Sequence, residues 1–317
     1  MTDDLNETMQ AWRIDRFGGA DALREVTLPA PRCGRGEVLV EMRSAGVNPV
    51  DLKTREGRYP LVREDALPYT LGRDVAGVVV RCGDGAGRWR PGQPVFGFVG
   101  QGQGAYAQYV CVAEDALATP PSTMTPADAG AVPLAALTAW QGLFEHGKLE
   151  RGERVLIHGA SGGVGQFAVQ FAREAGAYVY ATGSGESLQS LKALGANEAI
   201  DYRAQRFEDV ARDIDLVYDL IGGDTQQRSW AVIRQGGALV STLNEPSQVD
   251  ASKHGARATR YTAHPDGEQL RRIAEWIDRG AVRVEIVDRY PFERVPDAFA
   301  RLEQGHLRGK LVVTRGE

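Results

Sequence analysis

The segment from Arg154 to Ala175 limits what this chain can fold into more than any other. It reads Arg154-Val155-Leu156-Ile157-His158, then Gly159-Ala160-Ser161-Gly162-Gly163-Val164-Gly165, with further apolar residues at Phe167, Ala168, Phe171 and Ala172. A short apolar run, a glycine cluster and a helical apolar stripe predict strand, tight turn and amphipathic helix, with Gly176 placed to cap the helix. Such a turn binds phosphate. Its glycines let the backbone approach a pyrophosphate, and the first free N–H groups of the helix hold the negative charge. Ser161, Gly162, Gly163 and Val164 are therefore the candidate pyrophosphate residues.

Two other chemistries share this spacing. Gly159-Ala160-Ser161-Gly162-Gly163 fits the G-x-S-x-G elbow of serine hydrolases, and Gly159, Gly163 and Gly165 fit the short-chain dehydrogenase turn. The short-chain class needs a Tyr with a Lys four residues later, which none of the ten tyrosines has. The hydrolase needs an acid and a late histidine, for which His254, His264 or His306 would have to serve. It also needs an α/β scaffold beginning well before the serine, and the first half of the chain does not read that way.

With 317 residues the chain is long enough for two domains with their own cores. A formal charge of -5 with interspersed signs offers no basic patch for nucleic acid and no polybasic membrane segment. No apolar run approaches the ~18 residues of a membrane span, and Met1 to Thr8 is polar and acidic, unlike a signal peptide. Cys33, Cys82 and Cys111 are far apart and in no C-x-x-C pair, so neither a disulfide framework nor a zinc knuckle is expected. The expectation is a cytoplasmic protein.

Residues 10 to 125 carry short β-like runs punctuated by Gly and Pro: Gln10 to Ile14, Glu37 to Ser44, Val75 to Arg81, Pro94 to Phe98 and Ala105 to Val112. A barrel-like, β-rich domain follows. After Pro120-Pro121 the character changes: Thr125-Pro126-Ala127-Asp128 opens a helix, and Val132 to Phe144 continues as apolar helix. From residue 154, strands are predicted near 155, 178, 199, 216, 239 and 259, with helices at Ser187 to Leu194 and at Thr225 to Arg234 before Gly236-Gly237. Repeats of ~20 residues of strand plus helix are those of a doubly wound parallel sheet. The last stretch holds helices at Gly267 to Arg279 and Val295 to Leu302 and strands at Val282 to Val287 and Lys310 to Thr314. Too short to stand alone, it is expected to rejoin the first domain.

The Ala160-Ser161-Gly162-Gly163-Val164-Gly165 turn in mid-chain, Leu194-Gly195-Ala196 followed by Ile200-Asp201-Tyr202, and the closing His306-Leu307-Arg308-Gly309-Lys310 stand in order behind a β-rich N-terminal half. Together they resemble the zinc-independent quinone oxidoreductase and enone reductase branch of the medium-chain dehydrogenase/reductase superfamily, over nearly the whole chain. The resemblance implies an α/β protein with a GroES-like catalytic domain, here 1–126 and 266–317, and a Rossmann domain, here 127–265. It also implies an active site between them and a homodimer.

Where zinc members of that superfamily carry a ligand Cys after Gly-Val, this chain has Gly46-Val47-Asn48-Pro49-Val50-Asp51. Where they carry Gly-His-Glu, it has Gly72-Arg73-Asp74, and the third ligand position falls in Leu134-Ala135-Ala136-Leu137. Four closely spaced cysteines of a structural zinc lobe are missing. No zinc is expected. Past the second Rossmann strand, a carboxylate ~20 residues after the glycines would hold the ribose of NAD. Here Thr182-Gly183-Ser184-Gly185 has no acid before Glu186, which leaves room and donors for a 2'-phosphate, so NADP(H) is favoured. The loop itself has no Lys or Arg; positive charge is left to Arg203, Lys310 or another distant residue. Tyr202 matches the family tyrosine near the adenosine phosphate.

Without a metal, an isolated ketone lacks a Lewis acid for its developing alkoxide, whereas a quinone or an α,β-unsaturated carbonyl spreads charge over an enolate or hydroquinone anion. The small-molecule acceptor is therefore expected to be conjugated. The resemblance places Asn48 at the nicotinamide and substrate cleft and Thr138 at the cofactor amide. It also marks Lys53, where many quinone reductases have Tyr, as a residue for the nicotinamide ribose or the enolate. Thr242 and Leu243 follow the fifth Rossmann strand, where nicotinamide would sit. Tyr59, Tyr69 and Phe98 are candidates for an apolar acceptor pocket, and His158 is expected to be structural. An NADPH-binding sensor or structural protein without useful turnover is the alternative reading.

Overall fold

A computed structural model describes residues 8–316. In chain order the β-rich part contains β1 (Thr8–Ile14), β2 (Leu23–Pro29), β3 (Glu37–Val47), α1 (Pro49–Arg55), β4 (Tyr69–Thr70), β5 (Asp74–Cys82), β6 (Pro94–Phe98), β7 (Tyr109–Ala113) and β8 (Leu117–Ala118). Two helices, α2 (Pro126–Ala129) and α3 (Pro133–Trp140), lead into the second part, each with proline in its first turn, where no backbone donor is lost. There the chain alternates β9 (Arg154–His158), α4 (Gly163–Glu174), β10 (Tyr178–Gly183), α5 (Leu188–Leu194), β11 (Glu198–Asp201), β12 (Ile214–Asp219), α6 (Gly223–Ser229), β13 (Ile233–Ser241), α7 (Gln248–Lys253) and β14 (Arg257–Arg260). The chain closes with α8 (Gly267–Asp278), β15 (Ile286–Pro291), α9 (Val295–Glu303) and β16 (Lys310–Thr314).

The second part is a six-stranded sheet in the order β11-β10-β9-β12-β13-β14 with all pairings parallel, the doubly wound arrangement read from the alternation. The β-rich part forms a three-stranded sheet, β2-β1-β4, and a larger sheet in the order β15-β16-β3-β5-β6-β8, with β7 also on β3. The last segment does return: β16 runs antiparallel to β3, with Leu311 opposite Val47. This pairing matters for the site, because it lays Lys310 beside Asn48. Phe96 and Phe98 of β6 share one core with Val132 and Ala136 at α3, Ile157 of β9 and Phe167 of α4, so the two sheets are joined by packed apolar side chains.

Three readings of the sequence need correction. The helix expected over Thr225 to Arg234 ends at Ser229, and Gly236-Gly237 lies inside β13, where the pairing with β12 shifts register. The strand expected at Val282 to Val287 begins at Ile286. The apolar helix through Phe144 changes at Gln141 into a π-helical turn, Gln141–His146. In each case tertiary packing moves a boundary that local pattern leaves loose.

The cysteines also depart from expectation. Cys33 and Cys111 form a disulfide although 78 residues apart. β7 lies on β3 with Cys111 opposite Leu39, and the loop ahead of β3 brings Cys33 onto it, a contact made by sheet register and invisible to spacing. Cys82 is free. Among the described residues no helix is long and apolar enough to cross a membrane.

Candidate active site

The glycine turn leaves β9 and enters α4 with two kinds of glycine. A Cβ at Gly165 would lie 2.3 Å from Gly159 O and 2.6 Å from Ala160 Cα, so this position needs glycine for helix and strand to pack. A Cβ at Gly162 would meet only Gly159 O at 3.4 Å, and its φ of -76° suits any residue. Gly162 is therefore free of internal crowding and faces open space, as a backbone that must approach a ligand does.

That space is a cleft of about 910 Å³ between the two parts of the molecule. Ser161, Gly162, Gly163 and Val164 line it from the turn, Thr138 from α3, and Thr242 and Leu243 from the end of β13. Asn48, Lys53 and Lys310 line it from the β-rich side. Gly183, Ser184 and Tyr202 are not in this lining; they sit at the carboxyl ends of β10 and β11, where Gly183 pairs with Asp201 and its carbonyl accepts from Tyr202 N. Ala160 N donates to Thr182 O, which ties these strand ends to the turn. The turn, Ser184 and Tyr202 thus lie along the carboxyl end of the parallel sheet.

At the β-rich wall the polar groups are buried and fully engaged. Asn48 Nδ2 donates to Asp74 Oδ2 at 2.7 Å, while its Oδ1 accepts from Lys310 Nζ, which lies 3.9 Å from Asp74 Oδ2. Asp74 Oδ1 accepts from Leu134 N at 2.5 Å. Loss of solvent pushes the Asp74 carboxyl up, opposed by Lys310, and pushes the Lys310 ammonium down, opposed by Asp74 and Asp51. Lys310 also packs along the turn, since a Cβ on Gly163 would lie 2.8 Å from its Cδ. It is therefore not at the Ser184 end, and a role on the 2'-phosphate falls away. Arg308, two residues earlier, reaches that end instead and pairs with Glu186, while Arg203 stacks over Tyr202 at 5.6 Å.

Asn48 spends both side-chain groups on Asp74 and Lys310, so its part is to hold that wall and set the Lys310 ammonium in place. Thr138 donates its hydroxyl to Leu134 O at 2.6 Å, the backbone bond common for helical threonine, and keeps its oxygen as an acceptor toward the cleft. Lys53 is half-buried, and lost solvent followed by Arg58 and Arg260 holds its ammonium below the usual range. Tyr59 and Phe98 line the cleft; Tyr69 does not, being buried behind Arg73, whose guanidinium lies 5.7 Å from its ring. His158 bridges Thr182 Oγ1 at 3.2 Å and Ser229 Oγ at 3.0 Å, and burial holds it down at about 4, which keeps it neutral and structural.

Sequence reasoning missed Asp51. It is fully buried, accepts from Tyr106 Oη at 2.9 Å, Asn48 N at 3.0 Å and Gly72 N at 3.2 Å, and burial pushes its carboxyl up to about 6. Asp51 stands three residues after Asn48, the spacing of a helix-start pair, which was the available signal.

Two family models match the chain: the alcohol dehydrogenase GroES-like domain over residues 34–122 and the zinc-binding dehydrogenase model over 194–313. The mouse protein named NAD(P)H oxidoreductase RTN4IP1, mitochondrial, is 33% identical over 98% of this chain and 90% of its own length. The chloroplastic NADPH-dependent alkenal/one oxidoreductase of Arabidopsis thaliana is 33% identical over 98% of this chain and 80% of its own. The chain belongs to the quinone and enone reductase branch of the medium-chain dehydrogenase/reductase superfamily. The solved quinone oxidoreductase of Coxiella burnetii superposes on this superfamily member with a TM-score of 0.90, at 31% identity, covering 97% of this chain and 99% of that one. The protein is accordingly an oxidoreductase by family, with the GroES-like and Rossmann domains that the resemblance implied.

Proposed function

We propose that this protein is a zinc-independent, NADPH-dependent reductase of quinones or α,β-unsaturated carbonyls. The observation that carries the reading is the Asp74–Asn48–Lys310 wall. At the positions where zinc relatives bind metal, this chain has Asn48, Arg73-Asp74 and the apolar Leu134 to Leu137, and the Lys310 ammonium bonds Asn48 and lies 3.9 Å from Asp74. A zinc ion does not suit that set. Among the described residues, Glu145, His264 and Asp266 converge outside the cleft lining, and Cys33 and Cys111, near Glu37, are joined as a disulfide.

The residues suit a dinucleotide. The Gly162 backbone and the first N–H groups of α4 would hold the pyrophosphate, Thr138 Oγ1 would accept from the carboxamide, and Thr242 and Leu243 would back the ring. Ser184, Tyr202 and Arg308 would hold the 2'-phosphate, with Arg308 exchanging its bond to Glu186 for one to the phosphate. When bound, the reduced nicotinamide supplies a hydride. Lys310, Lys53 and Arg73 place positive charge about an oxygen that becomes an enolate or hydroquinone anion, and the cleft aligns donor and acceptor away from bulk water. Water supplies the proton at the α-carbon.

A homodimer belongs to the same reading. β14 is an edge strand of the parallel sheet, with backbone groups open on one side to pair with a second copy. Cytoplasmic residence is proposed with one condition: a reducing compartment would hold Cys33 and Cys111 as thiols. The test is cofactor oxidation after chelator treatment, with a quinone, an enone, an alkenal and a simple ketone in parallel. Turnover of a conjugated acceptor with NADPH, at least about tenfold above NADH in kcat/KM, is expected. Activity lost to chelator, or turnover of the ketone alone, would overturn the reading.

A further inference from the structure

The cleft wall is one-sided in charge. Lys53, Arg58, Arg73, Arg260 and Lys310 line it, and among the described residues no Asp or Glu does. Two of these cations are compensated from behind: Lys310 by Asp74 at 3.9 Å, and Arg73 by the Gly100 and Gln101 oxygens, two tyrosine rings and nearby Asp51; Arg58 meets Glu56 at 2.9 Å through one guanidinium nitrogen and, 66% exposed, keeps the rest of its fork free. Lys53 and Arg260 have no ion-pair partner among the described residues. Arg260 is instead fixed by its Nε donating to Leu243 O at 3.0 Å, which keeps its guanidinium at the cleft.

Cofactor phosphates do not account for this group. The pyrophosphate belongs at the glycine turn and the 2'-phosphate at Ser184 and Arg308, whereas Lys53 and Arg58 come from α1 and the loop after it, and Arg260 from the end of β14. The nicotinamide end of a dinucleotide carries no negative charge beyond the pyrophosphate. Gathering like charges costs free energy, and both Arg58 and Arg260 lie close enough to Lys53 to disfavour its charged form.

Resting on the reductase reading above, we infer that the natural acceptor is an anion: a conjugated carbonyl or quinone carrying a carboxylate or phosphate at its remote end, held by Arg58 and Arg260. The conjugated part then lies beside Asn48, Tyr59 and Phe98. Hydride goes to the β-carbon, a proton from water to the α-carbon, the C=C bond becomes single, and the anionic tail leaves unchanged.

The test compares a straight-chain enone bearing an ω-carboxylate, the same enone as its ω-phosphate monoester, and its uncharged methyl ester, all with NADPH. At low salt, kcat/KM for at least one charged form is expected to exceed the ester by about tenfold or more, and to fall with added potassium chloride while the ester does not. In an Arg58→Gln/Arg260→Gln double variant the charged-to-ester ratio should collapse toward one, with NADPH affinity retained by fluorescence titration. Ester turnover without any charge preference overturns this inference and leaves the reductase reading standing. A preference that survives the double variant, or loss of NADPH affinity in it, overturns the inference as well. If none of the three is reduced, and neither a quinone nor its carboxylate-bearing analogue is reduced beside them, the reductase reading fails and takes the inference with it.

Discussion

Asp51, buried beside Asn48 behind the cleft lining, carries a pH dependence that stability measurements can read. With its carboxyl raised from 3.8 to about 6 by burial, the folded state binds that proton more tightly than the unfolded chain. Its contribution to stability is therefore complete below about pH 4 and is lost as pH rises through about 6, a swing of about 3 kcal/mol. Urea unfolding of the wild type and Asp51→Asn across this range checks it. Wild-type stability relative to the variant should fall between about pH 4 and 6 and then level off; a difference that is flat or rises with pH would contradict the buried, proton-holding role. Lys310 shows the limit of reading residues from sequence. Its motif left its position along the cleft open, and the structure sets it beside Asn48, away from the Ser184 end. What places it under the turn is the β16–β3 pairing, which joins residues some 260 positions apart, and no local pattern carries that register.

At the scale of elements, the turn from β9 to α4 was the most legible part of the chain, because its chemistry is local: an apolar strand, glycines, and a 3.6-residue stripe. Gly162→Val tests it. The position has a φ of -76° and a ψ of 172° and little crowding, so the variant should fold with a nearly unchanged melting midpoint. The new side chain would project into the pyrophosphate space, and NADPH affinity should fall by more than about tenfold in fluorescence titration; normal affinity would remove the turn from the site. The elements that sequence placed poorly fail for the opposite reason. Gly236-Gly237 looks like a helix stop, yet it lies in a strand that is flanked by β12 and β14 and follows their register. The π-helical turn after Trp140 likewise sits among distant residues: Tyr218 and Tyr261 both donate to Thr138 O near the end of α3. The Cys33–Cys111 bond belongs with these, a contact of sheet geometry between cysteines with no shared motif.

For the molecule as a whole, two domains meet at one cleft: a Rossmann edge whose backbone donors suit a polyphosphate, and a β-rich wall whose buried cation is Lys310. The domain plan, the parallel sheet and most of the lining were readable because separated motifs occur in order along the chain. The charge balance of the cleft wall was not, since Arg260 at the end of β14 joins Lys53 and Arg58 only where the two domains meet. Metal-free hydride transfer to a conjugated carbon is the central claim, and isotopic tracing tests it most directly. The protein, stripped with chelator, would reduce an enone using NADPH deuterated at the transferring nicotinamide carbon, and the product would be analysed by mass spectrometry and NMR. One deuterium at the β-carbon, with none at the carbonyl carbon, is the result expected. Deuterium at the carbonyl carbon, or product formation only after zinc is restored, would contradict it.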